Sequence, residues 1–187
     1  MSDLSEFEGF MRQYQDMVFT VARRLLGNAA DAEDVAQEAF LRAYRHFDRL
    51  RDNPAAGGWL RTVARNLAIN HLTRYRNRWR FFSEMGPEDG VESPREANRF
   101  EANLPAPETH SRDTARLDRL EILDRALDRL PPTQRAALAL YHFEGLSYEE
   151  IAARLKVSLA KIKSDIYRAR TALRRRLAAQ KHNLLAE

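Results

Sequence analysis

Arg74-Tyr-Arg-Asn-Arg-Trp-Arg-Phe-Phe82 interleaves cations with aromatic rings, a combination suited to nucleic acid. Guanidinium groups neutralise phosphates, and rings stack on exposed bases at about 1–3 kcal/mol each. Just upstream, Asn66 and Asn70 stand four residues apart, so one helical face would offer two amides able to read base edges. Arg61, Arg65, Asn66, Asn70, Arg74, Tyr75, Arg76, Arg78 and Trp79 are therefore candidate DNA-contacting residues. The plainer reading of the same pattern is a bundle whose aromatics close one end and whose asparagines face water.

A second cluster lies near the C-terminus. Ser147 with Glu150 fits a capping box, Ile151, Ala152 and Leu155 face inward, and Lys156-Val-Ser158 makes a three-residue turn. Ser158 would cap the next helix, in which Ile162, Ile166, Ala169, Leu173 and Leu177 form a buried stripe. This is the pattern of a helix-turn-helix. Lys161, Lys163, Ser164, Tyr167 and Arg168 are left outward, where a recognition helix meets a major groove. Arg170, Arg174, Arg175 and Arg176 suit phosphates better than bases. Asp165 could accept from a cytosine amine, or simply pair with Lys161 or Arg168.

The third cluster has the opposite sign. Asp31, Asp34 and Glu38 fall at i, i+3 and i+7, a negative ridge in a chain of net charge +4. On the same predicted helix Ala36, Phe40, Ala43, Tyr44 and Phe47 should pack inward. Part of the acid has a local explanation, since carboxylates in a first turn complement the macrodipole and Asp31 with Asp34 could form a cap.

Nothing competes as a catalytic centre. The five histidines (46, 71, 110, 142, 182) show no metal-ligand spacing, and neither a phosphate-binding glycine loop nor a nucleophile motif is present. No catalytic residue, metal or cofactor is expected. The absence of cysteine removes disulfides and thiolate metal sites and fits a reducing compartment. No apolar run approaches the roughly 18–20 residues that span a bilayer, and an acidic start is unlike a secretory signal. These features predict a cytoplasmic protein without membrane insertion.

The elements that must position these clusters are helices. Phe7, Phe10, Met11, Tyr14, Met17, Val18, Val21, Leu25 and Leu26 form one stripe, stopped at Gly27-Asn28. The acidic helix follows, then a turn at 51–58, then a helix from near Trp59 that buries Leu60, Val63, Ala64 and Leu67. Residues 83–117 hold four of the seven prolines and a charge of −4, which predicts a flexible acidic linker. Beyond it Leu120, Leu123, Leu127 and Leu130 form a stripe ended by Pro131-Pro132. The fold class expected is all-α, with two small bundles (1–82 and 118–187) joined by that linker and a helix-turn-helix in the second. Charge is segregated accordingly: +6 over 59–80 and +8 over 156–181. Two basic patches about an acidic connector suggest two contacts with a polyanion.

Together these stretches resemble the extracytoplasmic-function group of bacterial RNA polymerase sigma factors. The resemblance rests on Asp31-Ala-Glu-Asp-Val-Ala-Gln-Glu-Ala-Phe-Leu41, Gly58-Trp-Leu-Arg through Asn70-His-Leu72, Leu130-Pro-Pro-Thr-Gln-Arg135, Glu144-Gly-Leu-Ser-Tyr-Glu-Glu-Ile-Ala152, and Lys163-Ser164 with Arg168-Ala-Arg170. It implies a non-enzymatic promoter-recognition subunit. Its partners would be core RNA polymerase, through the β′ clamp and the β subunit, and the −10 and −35 promoter elements. Asp31, Glu33, Asp34 and Glu38 would meet the β′ clamp. The helix bearing Asn66 and Asn70 would open the −10 element and capture a flipped base. Ser158, Lys161, Lys163, Ser164, Tyr167, Arg168 and Arg170 would meet the −35 element. Anti-sigma factors sequester many members, which a flexible linker permits, though no residue here identifies one. Lys156 departs from the family's glycine, and Lys161 and Asp165 from its usual threonine or glycine and arginine. A stand-alone helix-turn-helix regulator, or a helical adaptor, are the competing readings; neither uses the acidic ridge for polymerase.

Overall fold

A computed structural model describes residues 3–83 and 113–184, with side chains over 4–74 and 120–178. The expected linker lies largely outside the described residues. The chain divides into two compact units, and all regular structure among the described residues is helical.

The first unit holds α1 (Asp3–Leu26), α2 (Ala29–Arg45), α3 (Phe47–Leu50) and α4 (Ala56–Ser83). The three long helices pack pairwise around Val18, Ala22, Leu25, Ala39, Leu60 and Ala64, all buried. One end is closed by rings: Phe47 meets Phe7 at 5.1 Å and Phe10 at 5.5 Å, edge to face, and Phe10 meets Tyr14 at 4.9 Å. Such pairs add about 0.5–1.5 kcal/mol each to what burial contributes.

Gly27, at φ +78°, ends α1 in the left-handed conformation, its N–H donating to the Arg23 carbonyl at 2.8 Å. Asn28 immediately caps α2: its Oδ1 accepts from the Asp31 N–H at 2.7 Å, and its amide donates to the Asp31 carboxylate. The cap is thus Asn28 with Asp31, not Asp31 with Asp34, because the helix starts at Ala29 and places Asp31 in its third position. The buried face of α2 is also rotated from the expected stripe. Ala32, Val35, Ala39, Phe40 and Ala43 are buried, whereas Ala36 is half-buried and Tyr44 is 50% exposed. Small alanines admit the neighbouring backbones, and Tyr44 is left at the rim with its ring edge-on to Phe7 at 5.0 Å.

Helix α4 begins earlier than expected. The Asn53 side chain accepts from the Ala55 N–H at 2.9 Å, an Asx turn that carries the chain directly into Ala56. Gly57 then lies against α1, where a Cβ would come within 2.9 Å of the Tyr14 ring. Any larger residue at 57 would have to push that ring aside.

The second unit holds α5 (Asp113–Asp128), α6 (Pro132–His142), α7 (Tyr148–Leu155) and α8 (Leu159–Leu184). Helix α5 begins ahead of the expected 118. Along its stripe Leu127 and Leu130 are buried, but Leu123 is half-buried and Leu120 is 36% exposed. Pro132 starts α6, where a missing N–H costs no intrahelical bond. Both α5 and α6 pack on α8, which buries Ile162, Ile166 and Ala169; Leu173 and Leu177 are half-buried. The capping box on α7 is formed as read, with Ser147 N–H to Glu150 Oε2 at 2.8 Å and Glu150 N–H to Ser147 Oγ at 3.1 Å. Ser158 Oγ accepts from the Lys161 N–H at 3.2 Å and caps α8.

Lys156, in the turn between α7 and α8, has φ +54°. A side chain in this region costs about 1–2 kcal/mol, part of which glycine would return through its looser unfolded chain. We expect Lys156→Gly to stabilise the protein by about 1 kcal/mol, read as a higher urea midpoint at unchanged slope.

Candidate nucleic-acid interface

The acids of α2 are not equivalent. Asp31 is half-buried, committed to its cap and within 3.5 Å of His71 Nε2 on α4. Glu38 is paired with Arg42 one turn on, at 2.8 Å. Glu33 and Asp34 are exposed and make no ion pair among the described residues. Beside them, between α1 and α2, runs an apolar groove lined by Phe7, Met11, Phe19, Phe40, Leu41 and Tyr44, with Glu33 on its rim. Leu41 is 57% exposed and Leu4, also in the lining, 58%. Sequence periodicity missed this groove: it assigned Tyr44 to the core and passed over Leu41, whose place beside a buried Phe40 was the available signal.

On α4, Asn66, Asn70 and Arg74 are all exposed, following Gly58 and Thr62 at four-residue steps, so they form one row along the helix. Arg61 is exposed on the adjacent flank and Arg65 is half-buried. A row of two amides and a guanidinium offers donors and acceptors to base edges and a cation to phosphate. Tyr75, Arg76, Arg78 and Trp79 continue the same helix, but their side chains lie outside the described residues.

On α8, Lys163, Tyr167 and Arg168 are exposed and Ser164 is half-buried, an array of cations, hydroxyls and a ring. Ser158 spends its oxygen on the cap. Asp165 is not at the surface: its side chain is 3% exposed, in the same stripe as Ile162 and Ile166, and it holds Lys161 Nζ at 2.8 Å. It therefore does not accept from a cytosine amine. Pairing with Lys161 is the alternative the structure adopts.

Arg170 is engaged inside the unit. Its guanidinium lies over the Tyr141 ring at 5.2 Å, and its Nε donates to His142 Nε2 at 3.3 Å. Tyr148 completes the cluster, its ring 4.8 Å from that of Tyr141. Burial raises the Tyr148 phenol above its ordinary range, against the pull of Arg170. Arg176 likewise reaches the Ala126 carbonyl at 3.5 Å. Arg170 and Arg176, both assigned to phosphates, thus have structural partners in the same unit.

Residues 10–79 match the Sigma-70 region 2 family, and residues 120–173 the Sigma-70 region 4 family. Among curated relatives, the chain is 39% identical over 176 residues to the ECF RNA polymerase sigma factor SigE of Mycolicibacterium smegmatis, covering 94% of this chain and 63% of that protein. It is 34% identical to the RNA polymerase sigma-H factor of Pseudomonas aeruginosa, covering 91% of this chain and 86% of the relative. The RNA polymerase sigma-E factor of Streptomyces coelicolor is also 34% identical, with 96% and 90% covered.

The Arg170 cluster gives the second unit a pH dependence. Burial, and secondarily the Arg170 charge, hold the His142 imidazole below its ordinary 6.5. The unfolded chain therefore binds this proton at higher pH than the folded chain does. Stability should fall as pH drops through about 6.5 and level off below the folded value. His142→Gln, which keeps an acceptor for Arg170, should flatten the dependence of the urea midpoint between about pH 7.5 and 5.5. Superimposable wild-type and variant profiles would show His142 to be uncoupled.

Proposed function

The chain belongs to the extracytoplasmic-function group of bacterial RNA polymerase sigma factors, and from that premise we propose how its surfaces divide the work. As a sigma factor it binds core polymerase and directs promoter recognition at initiation. The acidic face of α2 docks on the β′ clamp, the row on α4 meets the −10 element, and the exposed face of α8 meets the −35 element.

One observation carries the docking assignment: Glu33 and Asp34 make no ion pair among the described residues, and Glu33 lines an apolar groove with Leu41 exposed on it. An apolar strip rimmed by charge has the anatomy of a protein interface. A basic partner would be steered by the rim and held by the strip, so the acids govern association rate and salt sensitivity more than affinity. Asp31 and Glu38 act at one remove, Asp31 through the cap and Glu38 beside Arg42.

On α4, Asn66, Asn70 and Arg74 suit an unstacked strand. Extruding a base costs a few kcal/mol, which contacts made only to the extruded base can recover. A stand-alone helix-turn-helix regulator would use α8 alike but would have no use for the acidic, groove-bearing face of α2.

We expect the full-length Glu33→Lys/Asp34→Lys variant to melt like wild type and to associate with core polymerase about tenfold more slowly at low salt, the gap narrowing as salt rises. Association kinetics over a salt series decide this; unchanged rates would remove the clamp assignment. Asn70→Ala should impair promoter opening, followed by permanganate reactivity of the −10 strand, more than −35 binding. Equal loss of both would trace the effect to stability instead.

A further inference from the structure

We propose that Lys161, fixed by the buried Asp165, reads a guanine in the −35 element; the inference rests on α8 being the helix that enters the groove. Its basis is one ion pair. Lys161 Nζ lies 2.8 Å from Asp165 Oδ1, with the lysine side chain 47% exposed and the aspartate 3%. A buried carboxylate is tolerated only when paired, so the fold dictates where this ammonium sits. Lysine ordinarily loses much rotamer freedom when it is ordered by a ligand. Here that loss is taken on folding, before DNA arrives.

The pair carries no net charge. It therefore adds little to counterion release, the source of phosphate affinity. Lys163 and Arg168, exposed and without an ion pair among the described residues, are the better phosphate cations. What Lys161 retains is direction. Of its three N–H donors one is spent on Asp165, leaving two. Guanine presents two acceptors, O6 and N7, to the major groove, where adenine presents one acceptor beside a donor. Lys161 stands in the first turn of α8, just after the Ser158 cap, and the first residues of a recognition helix are those that reach base edges. Asp165 is thus a positioning residue that never touches DNA.

The test uses holoenzyme assembled from the full chain and core polymerase, on promoters randomised across the −35 element. Because Lys161→Met alone would strand a buried carboxylate, the variant is Lys161→Met/Asp165→Leu, which replaces the whole pair by apolar side chains. The wild type should prefer guanine at one position by about tenfold, and the double variant should lose that preference alone, with an unchanged salt slope. Lys161→Arg, with Asp165 in place, should keep it. A wild-type preference that the double variant retains everywhere overturns this proposal and leaves the assignment of α8 standing. So does a uniform loss of affinity with a salt slope lower by about one, the mark of a phosphate contact. A wild-type chain indifferent to every −35 base overturns both.

Discussion

Like charges are held side by side on these helices because their opposite faces are buried. Along α8 the cations at 161, 163, 168, 174, 175 and 176 share one helix, and neighbours of one sign cost a few tenths of a kcal/mol per pair. Ile162 and Ile166 are almost completely enclosed, and full burial of such a side chain is worth about 1.5–3 kcal/mol. Burial wins, and the charges are carried along. The same balance holds on α2, where Val35, Phe40 and three alanines fix a helix whose far side is acidic. Each unit is thus a narrow apolar seam with a strongly charged exterior, the form a connector between a protein and a polyanion requires.

Within that exterior, charges fall into two groups. Glu38 with Arg42, Arg170 with His142 and Tyr141, and Asp165 with Lys161 are satisfied inside the molecule. Glu33, Asp34, Lys163 and Arg168 are exposed without such partners among the described residues. The second group also takes in exposed charges of other helices, Glu8, Arg12 and Asp16 of α1 among them.

Local signals made much of this fold legible in the sequence. The Ser147–Glu150 box and the Ser158 cap act over three residues and need no tertiary information, so the helix-turn-helix is readable with its turn at 156–158. The start of α2 was harder, because Gly27 stops one helix and Asn28 starts the next with nothing between them. Periodicity located the face of α2 but not its edges, which is why Tyr44 was assigned inward and Leu41 overlooked. Which charges are spent is the least legible property. It depends on rotamers and on partners from other helices, as with Arg170, 28 residues from His142. Asp165 shows the limit most clearly: an acid three residues after Ile162 reads as an exposed polar position, yet belongs to the core stripe.

The contact between Gly57 and Tyr14 reaches further than its size suggests. It governs how closely the first turn of α4 approaches α1, and α4 then runs on as a single helix packed on α1 and α2. Seventeen residues separate Gly57 from Arg74, about 26 Å at 1.5 Å per residue. A tilt of only about 3° at the glycine would carry the far end through more than about 1 Å, enough to break a hydrogen bond there. A side chain larger than glycine at 57 would thus be felt well beyond its own turn, as a shift of the exposed row that ends at Arg74.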